Sequence, residues 1–166
     1  MVELLVSLVV LVVLLAIAVP NMRAFTVRNH LAAAQSAMNS TFALARSEAA
    51  RRGVPVFLVA VPGAAAGNEF GNGWEVFADR NGDGVYTSAD APAVRRYEAL
   101  PTGVQLHGAA TSVTFTPTGY LKPVNTLSFK VCEPVAGTTG YLLTLPPSGI
   151  ADVTPLQVSD PGDCTS

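Results

Sequence analysis

An uninterrupted apolar run near the start of the chain constrains its folding more than any other feature. From Leu4 to Val19 the sequence reads LLVSLVVLVVLLAIAV, and its one hydroxyl, Ser7, can be satisfied inside a helix. Only lipid or a dry helix bundle accepts such a segment. The run is shorter than the roughly 20 residues that span a bilayer, so we expect further sequence upstream of Met1. It passes through Pro20 into more helical sequence, without the cleavage site of a secretory signal peptide.

Glu3 stands at the head of this apolar run. A carboxylate in lipid is costly unless it is neutralised or paired, so the sequence predicts a partner charge. Pro20 removes one backbone hydrogen bond and predicts a kink or a local opening of the helix. We predict that residues 1–20 form a single-pass transmembrane helix segment.

Residues 21–53 are predicted to continue the helix as an amphipathic segment. Neither Pro nor Gly occurs between Pro20 and Gly53, and apolar residues recur at steps of three or four. Arg51 and Arg52, followed by Gly53, are typical signals of a helix end. The predicted buried face consists of Leu31, Ala34, Met38, Phe42, Ala45 and Ala49.

Residues 54–166 change to short β-type segments separated by turns, and we predict a β-rich globular domain there. The predicted strands read VPVFLVAV, WEVFA, AVRRYEAL, VTFTP, LSFKVC and YLLTL. After a single amphipathic helix they predict an α+β fold with an antiparallel sheet packed on the helix. The expected core residues are Phe57, Trp74, Phe77, Phe115, Phe129 and Leu143. Gly63–Gly73 is expected to be a small-residue loop and the tail after Pro146 to be irregular.

The segment Asp79–Asp90, DRNGDGVYTSAD, fits the spacing of a calcium-binding loop. The ligands would be the side chains of Asp79, Asn81, Asp83 and Asp90 and the carbonyl of Val85. However, Asp90 is shorter than the usual bidentate Glu, and Asn-Gly-Asp-Gly between two strands is also typical of a hairpin connection. A structural calcium ion and a plain turn both stay open, and no other cofactor is predicted.

The two cysteines, Cys132 and Cys164, have neither the Cys-x-x-Cys spacing of a redox site nor neighbouring His residues for zinc. A single disulfide that ties the C-terminal tail to the sheet is the simplest interpretation. An oxidising compartment outside the cytosol would allow it to form. Two buried free thiols are the alternative.

Other features argue against catalysis. His30 and His107 have no partner that the sequence predicts, and no nucleophile is paired with a base. We therefore predict that the chain is not an enzyme. Arg46, Glu48 and Arg51 are either an interaction set or solvated side chains paired along the helix.

The segment MVELLVSLVVLVVLLAIAVPN resembles the N-terminal helix of type IV pilins and type II secretion pseudopilins. ARSEAARRGVPVFL resembles the helix end of the subfamily that includes pseudopilin H and the minor pilins FimT and FimU. The resemblance implies a pilin fold, cleavage by a prepilin peptidase and an inner-membrane anchor below a periplasmic domain. It also implies that Glu3 compensates the N-terminal amine of a neighbouring pilin in the filament. A methylated Phe two residues before Met1 and a basic leader would then precede the sequence.

The leading functional hypothesis is a minor pilin or pseudopilin that assembles into, and primes, a type IV pilus or type II secretion pseudopilus. A DNA-uptake pilin of FimT type is the second. The stretch that corresponds to the Gly-Arg-x-Arg motif of such relatives, Ser148–Asp152, has no arginine and gains an acid, and the net charge is -2. Both facts argue against direct DNA binding. A membrane-anchored calcium-binding domain is the third.

Overall fold

The computed structural model describes residues 2–165, except that the side chains of residues 14–21 lie outside the description. Helix α1, Val2–Arg52, is followed in the described residues by nine strands. The strands are β1 (Val56–Ala60), β2 (Trp74–Ala78), β3 (Arg95–Tyr97), β4 (Gln105–Gly108), β5 (Ser112–Phe115), β6 (Leu121–Lys122), β7 (Leu127–Cys132), β8 (Thr138–Leu145) and β9 (Asp152–Val158). Two short 3-10 helices span Ser88–Asp90 and Pro161–Cys164.

The strands pair antiparallel in two sheets. One sheet has the order β3-β2-β1-β5-β6 and the other the order β4-β7-β8-β9. The second half of α1 contacts strands of both sheets. The α+β arrangement of one long helix on antiparallel sheets is therefore confirmed.

The second half of α1 buries the face that its periodicity predicts. All six predicted residues, from Leu31 to Ala49, are at most 4% exposed. Phe42 lies where the two sheets meet, with its ring centroid 6.5 Å from that of Phe115 in β5 and 5.1 Å from that of Phe129 in β7. The helix ends at Arg52, and Gly53 follows it with a φ of 68°, a backbone conformation that other residues rarely adopt.

A buried hydrogen bond also joins the helix to the first sheet. The indole Nε1 of Trp74 donates to Thr41 Oγ1 at 3.0 Å, and the Thr41 hydroxyl donates to the Ala37 carbonyl at 2.7 Å. Both Thr41 and Trp74 are at most 1% exposed. Because buried polar groups are costly without partners, this pair fixes how the helix lies on β2.

All six predicted core residues are buried, but two of them lie on the other face of the first sheet. Phe57 and Phe77 are cross-strand partners in β1 and β2 and lie outside the main cluster against the helix. Their rings pack against Tyr86, with centroids 6.2 and 4.7 Å apart from it. Alternation of side chains along a strand explains the split, since Leu58 and Val76 take the helix side.

The predicted irregular tail after Pro146 is wrong. Residues 152–158 form β9, which pairs with β8 along its length and places Pro155 opposite Tyr141. Proline lacks a backbone N–H, but an edge strand tolerates it because one side of that strand has no partner. The tail therefore completes the second sheet.

The loop Gly63–Gly73 is more than a small-residue connection. It carries Phe70, which is fully buried and has its ring centroid 6.4 Å from Trp74 and 5.6 Å from Phe129. A Cβ at Gly108 would lie 2.5 Å from the Phe70 ring, so glycine is needed in β4 for this close approach. The loop is anchored in the core.

Candidate functional site

Helix α1 is exposed over Val2–Val13 and packed against the sheets over its second half. Every residue from Val2 to Val13 is exposed, and Leu4 is 75% exposed. As predicted, the Ser7 hydroxyl donates to the Leu4 carbonyl, at 3.0 Å. Glu3 is exposed, and no hydrogen bond or ion pair joins it to another residue of the described part. An apolar helical surface of this size needs a cover.

Two predictions about this helix stay predictions: that residues 1–20 cross a membrane, and that Pro20 kinks the helix. Within the described residues, no helix has both the length and the apolar character that crossing a membrane requires. The side chain of Pro20 lies outside the described part, so the kink stays a prediction.

The end of α1 carries a compact ion-pair network. Arg51 Nη2 lies 2.6 Å from Glu48 Oε2, and Arg52 Nε approaches the same oxygen at 2.6 Å. Hydrogen bonds from Arg52 and then Arg51 hold the pKa of Glu48 below its ordinary value. Ordinary pairing along the helix thus explains Glu48 and Arg51, while Arg46 stands outside the network.

The carboxylates of the loop Asp79–Asp90 bind backbone amides of the same loop. The two oxygens of Asp79 accept from Gly82 N at 2.7 Å and Gly84 N at 2.8 Å. Asp90 is fully buried and accepts from Arg80 N and Thr87 N at 2.9 and 2.8 Å. These two bonds, Thr87 first, lower the pKa of Asp90.

The two remaining side-chain positions of the proposed calcium set bind each other. Asp83 Oδ2 accepts from Asn81 Nδ2 at 2.7 Å, and Asp83 Oδ1 accepts from Val85 N at 2.8 Å. No group of three His, Cys, Asp or Glu side chains in the described chain is arranged to hold a metal ion. The geometry accounts for the loop as a turn that lays Tyr86 over the first sheet, and calcium binding stays a prediction.

Cys132 and Cys164 form the predicted disulfide, with Cα atoms 5.9 Å apart. Cys132 ends β7 and Cys164 ends the helix Pro161–Cys164, and both are fully buried. They form a second small core with Val158 of β9. The bond therefore fastens the end of the tail to the second sheet.

His107 has a partner that the sequence did not reveal. Its Nδ1 lies 2.8 Å from Glu69 Oε2. Burial raises the pKa of Glu69, but backbone hydrogen bonds, including those from Gly67 and Gly108, bring it below its ordinary value. The carboxylate joins the loop Gly63–Gly73 to β4, which is a structural task.

The basic residues of the strands do not gather into one patch. Arg96 lies 3.3 Å from Glu75, and Arg95 stands over the ring of Tyr97 at 5.4 Å. Lys122 is in β6 at the opposite edge of the same sheet, and Lys130 of the other sheet donates to the Asp163 carbonyl at 3.1 Å. Pairing or stacking accounts for Arg95, Arg96 and Lys130, and Lys122 lies apart from the two arginines.

A groove of about 750 Å³ runs along the second half of α1, and we call it the helix groove. Its walls are α1 from Ser36 to Ala50, the turn at Thr118 and Gly119, and the turn at Gly149–Ala151. The guanidinium-bearing side chain of Arg46 lines it. Sequence reasoning missed this groove, although the recurrence of small residues on α1 was a visible signal.

The comparisons with known proteins agree on family and fold. A family model described as "Type II transport protein GspH" matches residues 34–149, which is more than half of the chain. Two similar solved structures are crystal forms of the type IV minor pilin FimU from Pseudomonas aeruginosa. The first, in space group P65, has 21% identity and a TM-score of 0.59, over 74% of this chain and 91% of that chain. The second, in space group P21, has 24% identity and a TM-score of 0.63, over 79% and 92%. No curated protein sequence matches the chain significantly.

Proposed function

The chain belongs to the GspH family of type II transport proteins, and we propose that it is the subunit that primes assembly of a type IV pilus or type II secretion pseudopilus. Its family and fold are those of structural pilins, and its role is that of a minor pilin or pseudopilin in such a system. The observation that carries the proposal is helix α1, whose apolar stretch Val2–Val13 is exposed while its second half packs on both sheets. Neighbouring apolar helices of a filament would supply the missing cover.

Glu3 supplies the specific contact in this proposal. Among the described residues it has no partner, and the helix around it is apolar and exposed. Within a filament core its carboxylate would be removed from water, where an unpaired charge costs several kcal/mol. We propose that the N-terminal amine of a neighbouring subunit neutralises it. Before assembly the same helix would lie in the inner membrane, with the sheets in the periplasm. A prepilin peptidase would cleave the chain before it joins a filament.

Replacing Glu3 by glutamine tests this function. The variant keeps the size of the side chain but cannot form the ion pair. We expect its amount in sheared filaments to fall about tenfold or more, since one lost buried ion pair exceeds the 1.4 kcal/mol that a tenfold change requires. Its level in the membrane should stay the same.

Glu98→Gln is the matched control, because the Glu98 side chain is 88% exposed and lies outside α1. It should enter filaments as the parent does. Equal incorporation of the Glu3 and Glu98 variants would contradict the role of Glu3. Absence of the parent chain from every filament fraction would contradict the function itself.

No observation on the described residues favours a role for this chain in DNA uptake. Ser148–Asp152 covers the turn before β9 and the first residue of that strand, and it carries no arginine. The strand arginines are paired or stacked. Phosphate binding needs several available cations. We therefore propose assembly rather than direct DNA binding as the task of this chain.

A further inference from the structure

We infer that the helix groove docks a helix of a neighbouring pilin-type subunit, and that this helix carries an aspartate or glutamate opposite Arg46. The inference rests on the proposed filament role and adds the partner surface to it. Three observations carry it: the small residues along α1, the wall built by two glycine turns, and the charge of Arg46.

The α1 wall of the groove is built for close approach. Its small exposed residues recur at steps of four, three, four and three, the spacing of one helix facing another. They are Ser36, Ser40, Ala43, Ser47 and Ala50. Ser40 and Ser47 donate their hydroxyls to carbonyls of their own helix, at 2.8 and 2.9 Å. These two hydroxyls therefore have acceptors within α1, and the row of small residues extends for roughly 21 Å at 1.5 Å per residue.

The opposite wall is fixed by two glycines in the left-handed region. Gly119 has φ 82° and Gly149 has φ 71°, and both are buried. A Cβ at Gly149 would lie 2.6 Å from the Gly119 carbonyl oxygen, so the two turns are in direct contact. Tyr120 and Ile150, the residues that follow them, are 55% and 59% exposed. Two exposed apolar side chains thus stand beside a formed groove.

Arg46 gives the groove its charge. It is half-buried, and no hydrogen bond or ion pair joins it to another residue in the described part of the chain. The nearest carboxylate along the helix, Glu48, already binds Arg51 and Arg52. A guanidinium binds a carboxylate through two parallel hydrogen bonds. Charge complementarity therefore requires the docked helix to bring an acid.

Nucleic acid fits the groove less well than a helix. Among its lining residues the groove holds one cation, Arg46, whereas phosphate binding normally needs several. Asp152, directly after the groove turn, adds a negative charge. A neighbouring helix uses both the small-residue wall and the single arginine.

Photo-crosslinking in cells that assemble the native filament tests the inference. A photoreactive residue at position 150, in place of Ile150, reports on the groove. The same residue in place of Val124 is the control, because Val124 is 75% exposed and lies outside the groove lining. We expect the first probe to capture a pilin-type subunit, with the crosslink mapped by mass spectrometry to a helical peptide that contains Asp or Glu. The control probe should not capture that peptide.

Variants of Arg46 separate charge from shape. Arg46→Gln should lower the crosslink yield about tenfold, and Arg46→Lys should retain part of it. Arg80→Gln, in the exposed loop outside the groove, is the matched control and should leave the yield unchanged. The melting temperature of each variant shows that the fold is intact.

Several outcomes would overturn the inference: no crosslink from position 150, a crosslink to nucleic acid or to a non-helical peptide, or a yield that Arg46→Gln does not change. If the chain still enters filaments while position 150 captures no helix, the docking site is wrong and the proposed function stands. If the parent chain never enters filaments, both fail.

Discussion

Replacing Thr41 by valine tests how the helix is held on the first sheet. The substitution removes the acceptor of the Trp74 indole N–H, which it binds at 3.0 Å. Valine has nearly the shape of threonine and a similar helix propensity, so the lost hydrogen bond is the main change. The N–H would then be unsatisfied in an interior where Trp74 is only 1% exposed.

The magnitude follows from the burial of both groups. A buried donor without a partner costs about 1–3 kcal/mol, and the more apolar valine offsets part of this cost. We expect the free energy of unfolding to fall by about 1–2 kcal/mol. The melting temperature should fall by roughly 3–8 °C. Thr41→Ser keeps the hydroxyl and should lose less.

Urea unfolding followed by tryptophan fluorescence measures this effect directly, because Trp74 is the one tryptophan of the chain. A double-mutant cycle with Trp74→Phe, followed by circular dichroism, isolates the bond. In the Trp74→Phe background, which lacks the donor, Thr41→Val should cost almost nothing. If Thr41→Val lowers the free energy of unfolding equally in the parent and in Trp74→Phe, the reasoning is refuted.

Three further predictions concern the tail and the acidic loop. Replacing both Cys132 and Cys164 by alanine opens a link of sequence separation 32 and should lower the free energy of unfolding by about 3–4 kcal/mol; equal urea midpoints would contradict this. Because the folded pKa of Asp90 lies below its ordinary 3.8, the stability from its ionised form is present above that pH and lost as pH falls below it. Asp90→Asn should therefore lose about 1–3 kcal/mol near neutral pH and show a flatter acid profile, and parallel pH profiles would contradict this. Calcium in place of chelator should shift the melting temperature by less than about 2 °C, since the loop carboxylates already bind amides; a larger shift that Asp83→Asn abolishes would establish an ion.

The helix and most strands could be predicted because their patterns are local. The apolar steps of three and four on α1 and the end signal at Gly53 depend on neighbouring residues only, and the structure has both. The six predicted strands appear as β1, β2, β3, β5, β7 and β8. Their β-branched and aromatic residues identify them without knowledge of their partners.

The missed elements depend on tertiary context. β9 contains Pro155, which counts against a strand unless the strand is known to lie at an edge. β6 has two residues, too few for a pattern. Phe70 is a single aromatic residue in a loop, and only the space between Trp74 and Phe129 shows why it is buried.

The candidate site was predictable to different extents. Glu3 and the disulfide cysteines were visible from their residue types and positions. The acidic loop was recognised by spacing, but spacing could not show that Asp79 and Asp90 turn toward backbone amides. The helix groove depends on turns far apart in sequence, so no local pattern could place Arg46 beside Gly119.

Mass spectrometry of the natively expressed chain, recovered from sheared filaments, tests the central claim of filament assembly most directly. The account predicts substoichiometric amounts of this chain, with an N-terminus that has been cleaved by the prepilin peptidase and methylated. A chain that is absent from filaments and retains an unprocessed N-terminus in the membrane would contradict it.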